Sequence, residues 1–383
     1  MLTLKCVTAE YGQVAAMKLL LQRGANPTIG TAGDRLPLHF AAEGGHVPMV
    51  KLLLQQPSVN PEKLDFTGQT ALFKAANQGH RAVVELLLQQ PGADPNQKSK
   101  DGFTPLVTAL FKTHAEVVKL LLDRPDVNPN LAETTYQQTP LWMAVTRGEE
   151  IVQMFLARKD IDVNAQSRWK ETPLYQAIQR DRLPVAQLLL DAGADPNISN
   201  WEDLRPLGWA AAEGKEEAIE LLLKHPSTKV HHWHNMGQTP LSRAAENGHT
   251  KCVKLLLAKD TEIELIDLDG NTPLSLAAAK GHKVVVKILL KYGAKINTQD
   301  KKGNTPLALA AINNHDAVVR LLLETGADTE LADEDEETPF EKARDKHMDQ
   351  IVGVFEEVLR LRGAKGSGGT DHVESSRGGS SNI

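Results

Sequence analysis

The chain has 383 residues, a length that suits either two globular domains or one elongated array of repeats. Its hydrophobic share of 41% and charged share of 24% are those of a folded protein, whereas its aromatic share of 4% is low for one large core. The formal net charge of -6 argues against a nucleic-acid partner or an anionic membrane, because both require a concentrated basic surface.

The two cysteines, Cys6 and Cys252, are too few for a disulfide framework or a cysteine-rich zinc site. Each is therefore predicted to be a small buried apolar residue in a reducing compartment. The first residues lack a basic segment followed by an apolar stretch, and no apolar run is long enough to span a bilayer. These features predict a cytoplasmic or nuclear protein with no membrane partner.

Residues 1–30 are predicted to form a partial N-terminal module. Leu4 aligns with the residue that starts the first helix of later units, so residues 6–26 supply a pair of helices without a preceding loop. Terminal units of a repeat array need a polar outer face. We therefore expect either a reduced cap or the start of a fragment of a longer protein, and the pattern favours the fragment.

Residues 31–330 are predicted to form the main repeat array. A tripeptide related to Thr-Pro-Leu recurs every 33 to 35 residues, which indicates stacked copies of one supersecondary unit. Counting one further copy after the array, its middle residues are Pro37, Ala71, Pro105, Pro140, Pro173, Pro206, Pro240, Pro273, Pro306 and Pro339.

One unit illustrates the local structure that the pattern predicts. Gly270 permits a tight turn, Thr272 can cap a helix, and Pro273 suits the first helical turn, where no backbone donor is needed. Gly281 marks a break before a second helix whose apolar residues recur at helical spacing, and Gly293 ends that helix as a left-handed cap. Each unit is thus predicted to be a loop followed by two short helices.

The motifs Thr-Pro-Leu, Ala-Ala, Gly-His, Val-Val-x-x-Leu-Leu and Gly-Ala-Asp together resemble the ankyrin repeat. Residues 35–60 match closely and include His39, although Leu36 replaces the usual threonine, and the resemblance covers about residues 4–363. The resemblance implies an all-α repeat, an ankyrin-repeat solenoid of helix-turn-helix units with β-hairpin fingers. It also implies that fingers and first helices line a concave side.

Some units depart from this pattern. Thr113 and Asp181 replace the glycine between the two helices, and segments that end at Pro57, Pro91 and Pro125 lengthen the exits of several second helices. We expect irregular curvature at these units.

The C-terminal part changes character. Residues 331–362 keep the helix-pair pattern but carry many charges, which predicts a C-terminal capping repeat. Residues 363–383 are rich in Gly and Ser and lack apolar periodicity, which predicts a disordered tail.

Several histidines share one slot, nine residues after the middle of the tripeptide, so their spacing predicts a structural role. They are His46, His80, His114, His249, His282 and His315. A separate cluster, His231, His232 and His234, lies on a finger. Two of its imidazoles could bind zinc or copper, but no third or fourth ligand is evident, so a solvated finger is the favoured interpretation.

Recognisable catalytic motifs are absent from the sequence. It contains no phosphate-binding glycine loop in a strand–helix context, no His-Glu-x-x-His helix and no Gly-x-Ser-x-Gly turn. The sequence therefore favours a binding protein over an enzyme and predicts neither a cofactor nor a metal.

The tryptophans give the strongest functional signal. All five lie between the fifth and eighth modules, counting the partial first, on fingers and first helices. Trp, Tyr and Arg dominate interface hot spots, so this stretch predicts a partner-binding surface, while Trp142 and Tyr175 are open to a gap-filling role instead. The predicted partner-binding residues are Tyr136, Trp142, Arg147, Trp169, Tyr175, Arg180, Trp201, Trp209, Glu213, Trp233 and Arg243.

Three functional hypotheses follow. The leading one is a protein–protein interaction module, expected to be monomeric, that holds a protein partner on a concave aromatic surface. The second is a small-molecule or enzymatic site in the same groove, with Arg180, Glu213 or His234 supplying polar groups. The third is the regulatory arm of a larger multidomain enzyme. Deep enclosure of the aromatic groove would favour a small molecule, and an exposed strip would favour a protein.

Overall fold

The computed structural model describes residues 3–232, 235–259 and 261–366. Within these ranges the backbone forms helices joined by turns, in repeated pairs, and contains no strand. The predicted helix pairs are therefore confirmed, whereas the β-hairpin fingers are not confirmed. The chain divides into two compact units, and each is described by itself.

The first unit comprises the residues up to Pro206 together with Lys224–Thr228. Its helices are α1 Leu4–Glu10, α2 Val14–Gln22, α3 Pro37–Glu43, α4 Val47–Leu54, α5 Ala71–Gln78, α6 Arg81–Leu88, α7 Pro105–Phe111, α8 Ala115–Leu122, α9 Pro140–Ala144, α10 Glu149–Leu156, α11 Pro173–Gln179 and α12 Leu183–Asp191.

The second unit comprises Leu207–Leu223 and the described residues from Lys229 onwards. Its helices are α13 Pro206–Ala212, α14 Glu216–Lys224, α15 Pro240–Glu246, α16 Thr250–Leu257, α17 Pro273–Ala279, α18 Lys283–Lys291, α19 Pro306–Ile312, α20 Asp316–Glu324, α21 Pro339–Asp345 and α22 Asp349–Gly366. The last helix runs beyond the predicted start of the tail at residue 363, and residues 367–383 of that tail lie outside the described residues.

Helices of one pair pack against each other and against the adjacent pairs. In the first unit α3 contacts α1, α4 and α5, and α6 contacts α4, α5 and α8. The helix interfaces are filled mainly by alanine, valine and leucine, so the core consists of thin layers between neighbours. This is the small aliphatic packing that the low aromatic content predicts.

Threonine caps begin most of the first helices. The Oγ1 atom of Thr272 accepts a hydrogen bond from the backbone N–H of Ser275 at 3.2 Å, and Pro273 follows in the first turn, as the sequence predicts. Where Leu36 replaces the threonine, the backbone N–H of Leu36 donates to Nδ1 of His39 at 3.0 Å. The imidazole thus caps the helix start from inside the helix, and its Nε2 donates to the carbonyls of Lys63 and Gln69 in the next turn.

The fingers are tight turns closed by backbone hydrogen bonds. In one of them the N–H of Ser167 donates to the carbonyl of Glu171 at 2.9 Å. A further backbone bond links most of the turns to the next one, such as Arg168 N–H to the carbonyl of Tyr136 at 2.8 Å. Between the turns at 99–103 and 133–138 the hydroxyl of Thr134 makes the link instead, to the carbonyl of Asp101 at 3.0 Å. These bonds hold the turns in register even though no strand is assigned to them among the described residues.

The slot histidines link consecutive helix pairs, which confirms their predicted structural role. His114 donates from Nε2 to the carbonyl oxygen of Asn77 in the preceding pair at 3.1 Å, and its ring lies against the Cα atom of Gly79. The other slot histidines make equivalent bonds of 2.7 to 3.0 Å. Thr113 and Asp181, which replace glycine, adopt the same left-handed backbone, with φ of 62° and 57°.

Both cysteines are buried, which confirms that part of their prediction. Burial, followed by the charge of Glu216, raises the pKa of the Cys252 thiol to about 11, so the thiol is protonated and unreactive near neutral pH. In the described residues, no helix is both long and apolar enough to cross a membrane.

Candidate functional site

Three predicted aromatic residues lie at the tips of consecutive finger turns in the first unit. Tyr136, Trp169 and Trp201 are exposed, with 47%, 38% and 62% of their surface accessible. The turns are fixed by left-handed residues, such as Lys170 with φ of 57°, and by a bond of 2.9 Å from the N–H of Trp201 to the carbonyl of Trp169. The backbone therefore presents these rings in sequence along one edge.

Two of these rings stack on each other. The centroids of Tyr136 and Trp169 are 5.2 Å apart, with an angle of 21° between the ring planes. Offset stacking at this distance is favourable, so the pair forms one preorganised apolar block at the turn tips. Because the two rings already hold each other in place, little of their side-chain entropy is lost when a partner covers this block.

Trp142 lies on α9, behind the turn tips, and is 9% exposed. The backbone N–H of Trp142 donates to the capping hydroxyl of Thr139 at 3.3 Å. Its indole Nε1 is buried and has no hydrogen-bond partner in the described residues. A buried donor without an acceptor costs about 1–3 kcal/mol.

Two phenylalanines outside the predicted set of partner-binding residues complete the site. Phe103 and Phe111 stack with centroids 6.4 Å apart, and Phe111 is exposed. Equivalent positions to Phe111 in other units hold mostly polar or small residues, such as Glu43, Asn77 and Thr146. That contrast is a sequence signal that could have identified Phe111.

Cations surround the Phe111 ring. The guanidinium carbon of Arg147 is 5.5 Å from the ring centroid, and Nζ of Lys112 is 6.0 Å from it. Both side chains are exposed. Cation–π contacts of this kind hold the charges next to an apolar surface.

We call Phe103, Phe111, Tyr136, Trp142, Arg147, Trp169 and Trp201 the aromatic surface. Between α7 and α9 it contains a cavity of about 270 Å³, which we call the ring pocket. The pocket is lined by Phe103, Phe111, Glu133, Thr135, Tyr136, Gln138, Trp142, Met143, Thr146 and Arg147.

Glu133 lines the pocket, but its carboxylate is already engaged. One oxygen accepts the N–H of Thr135 at 2.6 Å, and the other accepts the N–H groups of Tyr136 and Gln138 at 2.7 and 3.1 Å. The charge of Glu133 therefore orders the turn that carries Tyr136 and is not directed at a ligand.

The other predicted residues of the first unit are placed differently. Tyr175 is 2% exposed, and its hydroxyl accepts a hydrogen bond from Nδ2 of Asn200 at 3.1 Å, so it packs inside the unit and lies off the exposed surface. Arg180 is exposed at the end of α11. Burial raises the pKa of nearby Glu171, and the charge of Arg180 partly offsets that rise.

The remaining predicted residues belong to the second unit. Glu213 is exposed, and Trp209 and Arg243 are half-buried. Trp233 and His234 lie outside the described residues. Among the residues that are described, no group of three or more His, Cys, Asp or Glu side chains is arranged to hold a metal ion.

Comparison with known proteins identifies the family. The family described as ankyrin repeats (3 copies) matches at residues 6–99, 60–133, 91–167, 126–200, 174–267 and 260–333. Human Rabankyrin-5 is 26% identical over 251 residues, which is 66% of this chain and 19% of that protein. Human transient receptor potential cation channel subfamily A member 1 is 29% identical over 136 residues, 33% of this chain and 12% of the channel.

A plant protein is also similar. The probable E3 ubiquitin-protein ligase XBOS33 of Oryza sativa subsp. japonica is 34% identical over 87 residues, 23% of this chain and 17% of the ligase. The chain thus spans less than a fifth of the length of each of these relatives. The family matches overlap through most of the sequence, and they agree with the paired helices, the threonine caps and the histidine links. The chain belongs to the ankyrin-repeat family.

Proposed function

We propose that the chain is a protein-interaction module that binds a protein partner on the aromatic surface of its first unit. Ankyrin repeats generally serve as protein-interaction modules. The observation that carries the finer proposal is the row of exposed rings at Tyr136, Trp169 and Trp201, which adjacent turns hold in fixed register. Exposed aromatic residues grouped on a rigid scaffold are typical of recognition surfaces.

The exposed lining of the ring pocket favours a protein over a small molecule. Pockets for small ligands usually have volumes of about 300–1,000 Å³ and enclose most of the ligand. The ring pocket, at about 270 Å³, lies just below that range, and half of its ten lining residues are exposed, among them Phe111, Tyr136 and Arg147. It therefore suits one side chain of a larger partner.

The test compares binding with folding in Trp169→Ala/Trp201→Ala protein. Both rings are exposed, so the double variant should stay folded, losing up to about 1 kcal/mol mainly from the stack on Tyr136. A partner that buries these rings should lose about 2 kcal/mol or more per hot-spot residue, roughly thirtyfold in affinity. Thermal unfolding and affinity capture from an extract of the source cells measure the two effects.

Phe66→Ala is the matched control, because Phe66 is an exposed ring on a finger turn of the same unit, two turns before the one that carries Tyr136. The Phe66→Ala chain should capture the same amount of partner as the wild-type chain. The proposed function is wrong if the double variant melts normally and retains every partner that the wild-type chain captures.

A further inference from the structure

The ring pocket is apolar inside and positively charged at its rim. Phe103, Phe111, Tyr136 and Met143 supply the apolar wall, and Arg147 lies at the opening over the face of Phe111. Nζ of Lys112 lies 6.0 Å from the centroid of the same ring. A ligand must therefore combine an apolar group with a group that tolerates, or requires, a positive field.

The rim cations have no carboxylate partner among the described residues. No ion pair within 4.0 Å joins Arg147 or Lys112 to an acidic side chain there, whereas Arg124 and Arg158 are paired with Asp126 and Asp160. The one carboxylate in the pocket, Glu133, accepts three backbone N–H groups. The charge complement of this opening is therefore an acidic group on the ligand.

Trp142 adds to the apolar wall. It lines the pocket, and its indole Nε1 is buried. Because that nitrogen is closed to solvent, the indole offers its apolar ring to a side chain seated in the pocket.

We propose that the ring pocket anchors one large apolar side chain of a partner segment that carries an acidic residue beside it. The apolar side chain packs against Phe111 and Trp142, and the adjacent carboxylate pairs with Arg147. This inference rests on the proposed function and names the chemistry of the segment that the aromatic surface recognises.

The test uses short blocked peptides and does not need the natural partner. The full chain is labelled with ¹⁵N, so that its five tryptophans give separate indole N–H signals, and Trp142→Phe identifies the signal of Trp142. The probes are acetyl-Gly-Asp-Phe-Asp-Gly-amide, its counterpart with both Asp replaced by Lys, and its counterpart with Phe replaced by Ala. Titrations followed by nuclear magnetic resonance give the affinity of each peptide.

The acidic Phe peptide should shift the Trp142 signal in a saturable manner, and the Ala peptide should leave it in place. The Lys peptide should bind about fivefold to tenfold more weakly, because exchanging a surface ion pair for a like-charge contact has an effect of that size. In Arg147→Gln the two Phe peptides should approach equal affinity. Arg23→Gln, an exposed cation near the end of α2, should preserve the preference for the acidic peptide.

Equal binding of acidic and basic peptides to the wild-type chain would overturn the inference, as would shifts confined to other tryptophans. If the peptides fail while partner capture still depends on Trp169 and Trp201, only the anchor is wrong. If the peptides behave as expected while capture is indifferent to Trp169 and Trp201, the anchor is supported and the proposed extent of the binding surface is wrong.

Discussion

At the scale of single residues, the side chain of His39 does two tasks with its two ring nitrogens. Nδ1 accepts the backbone N–H of Leu36, and Nε2 donates to the carbonyls of Lys63 and Gln69 at 3.0 and 3.2 Å. This pattern requires the neutral ring, because a proton on Nδ1 would face the N–H of Leu36. Burial, only partly offset by the charge of Asp65, lowers the pKa of His39.

The lowered pKa predicts a loss of stability in mild acid. Below a pH of about 6.5 the unfolded chain protonates this histidine, whereas the folded chain resists protonation, so the free energy of unfolding falls as the pH falls. Urea unfolding at pH 7.5 and pH 5.5 should show a steeper decline for the wild-type chain than for His39→Gln, which cannot titrate. An equal fall in the free energy of unfolding of the two proteins would contradict the role given to His39.

Local residue chemistry was largely predictable from the sequence. Thr272 and its counterparts cap their helices because a hydroxyl directly before proline is suited to that bond in almost any context. The substitute cap at Leu36 was not predictable in the same way. It depends on the orientation of His39, which is set by two carbonyls more than twenty residues away.

At the scale of elements, the contact between consecutive helix pairs depends on glycines with a left-handed backbone. Gly79 has φ of 76°, and a Cβ atom added there would lie 2.5 Å from Nδ1 of His114. Gly92 has a nearly identical φ of 78° but open space around it. The two positions therefore separate the cost of backbone strain from the cost of a steric clash.

Replacing these glycines with alanine should give unequal losses of stability. Gly92→Ala should cost about 1 kcal/mol, from the left-handed backbone alone. Gly79→Ala should cost about 1 kcal/mol more, because the imidazole must move and its bond to the Asn77 carbonyl weakens. Chemical denaturation measures both. In a His114→Ala background the difference between them should disappear, and a difference that persists would refute the clash.

The candidate site was predictable in part at this scale. Tyr136, Trp169 and Trp201 were placed on fingers by their register alone, since the turn position is fixed relative to the following proline. The contributions of Phe103 and Phe111 depend on which side chains of adjacent units meet across about thirty residues of sequence. Register does not contain that information, because it depends on how neighbouring pairs approach each other.

At the scale of the whole molecule, the principal helix contacts of the described residues run within a pair or between adjacent pairs. In the second unit, for example, α17 contacts α15, α18 and α19. Stability is then close to a sum of local terms, and removal of terminal pairs exposes only one new interface.

Deletion of residues 270–383, which removes α17 to α22, should leave a folded protein. Circular dichroism should show the helical signal expected for the remaining pairs, and the melting temperature should fall by a few degrees because only the α15 and α16 interfaces lose their neighbours. Complete loss of the helical signal would show that the pairs fold as one indivisible body.

The histidine links described above are interrupted where the ring pocket lies. Glu149 occupies the slot at the start of α10, and a carboxylate, which only accepts hydrogen bonds, cannot reproduce the bond from an imidazole to a carbonyl. At the far end of the same helix, Arg158 donates to the carbonyls of Leu122 and Arg124 at 2.8 and 2.6 Å. The pair formed by α9 and α10 is thus tethered to the preceding pair at the end that carries Arg158, and it lacks the histidine tether at the other end. We expect the opening of the ring pocket to widen or narrow by rotation about that tether, so that side chains of different width can enter without disturbing the rest of the first unit.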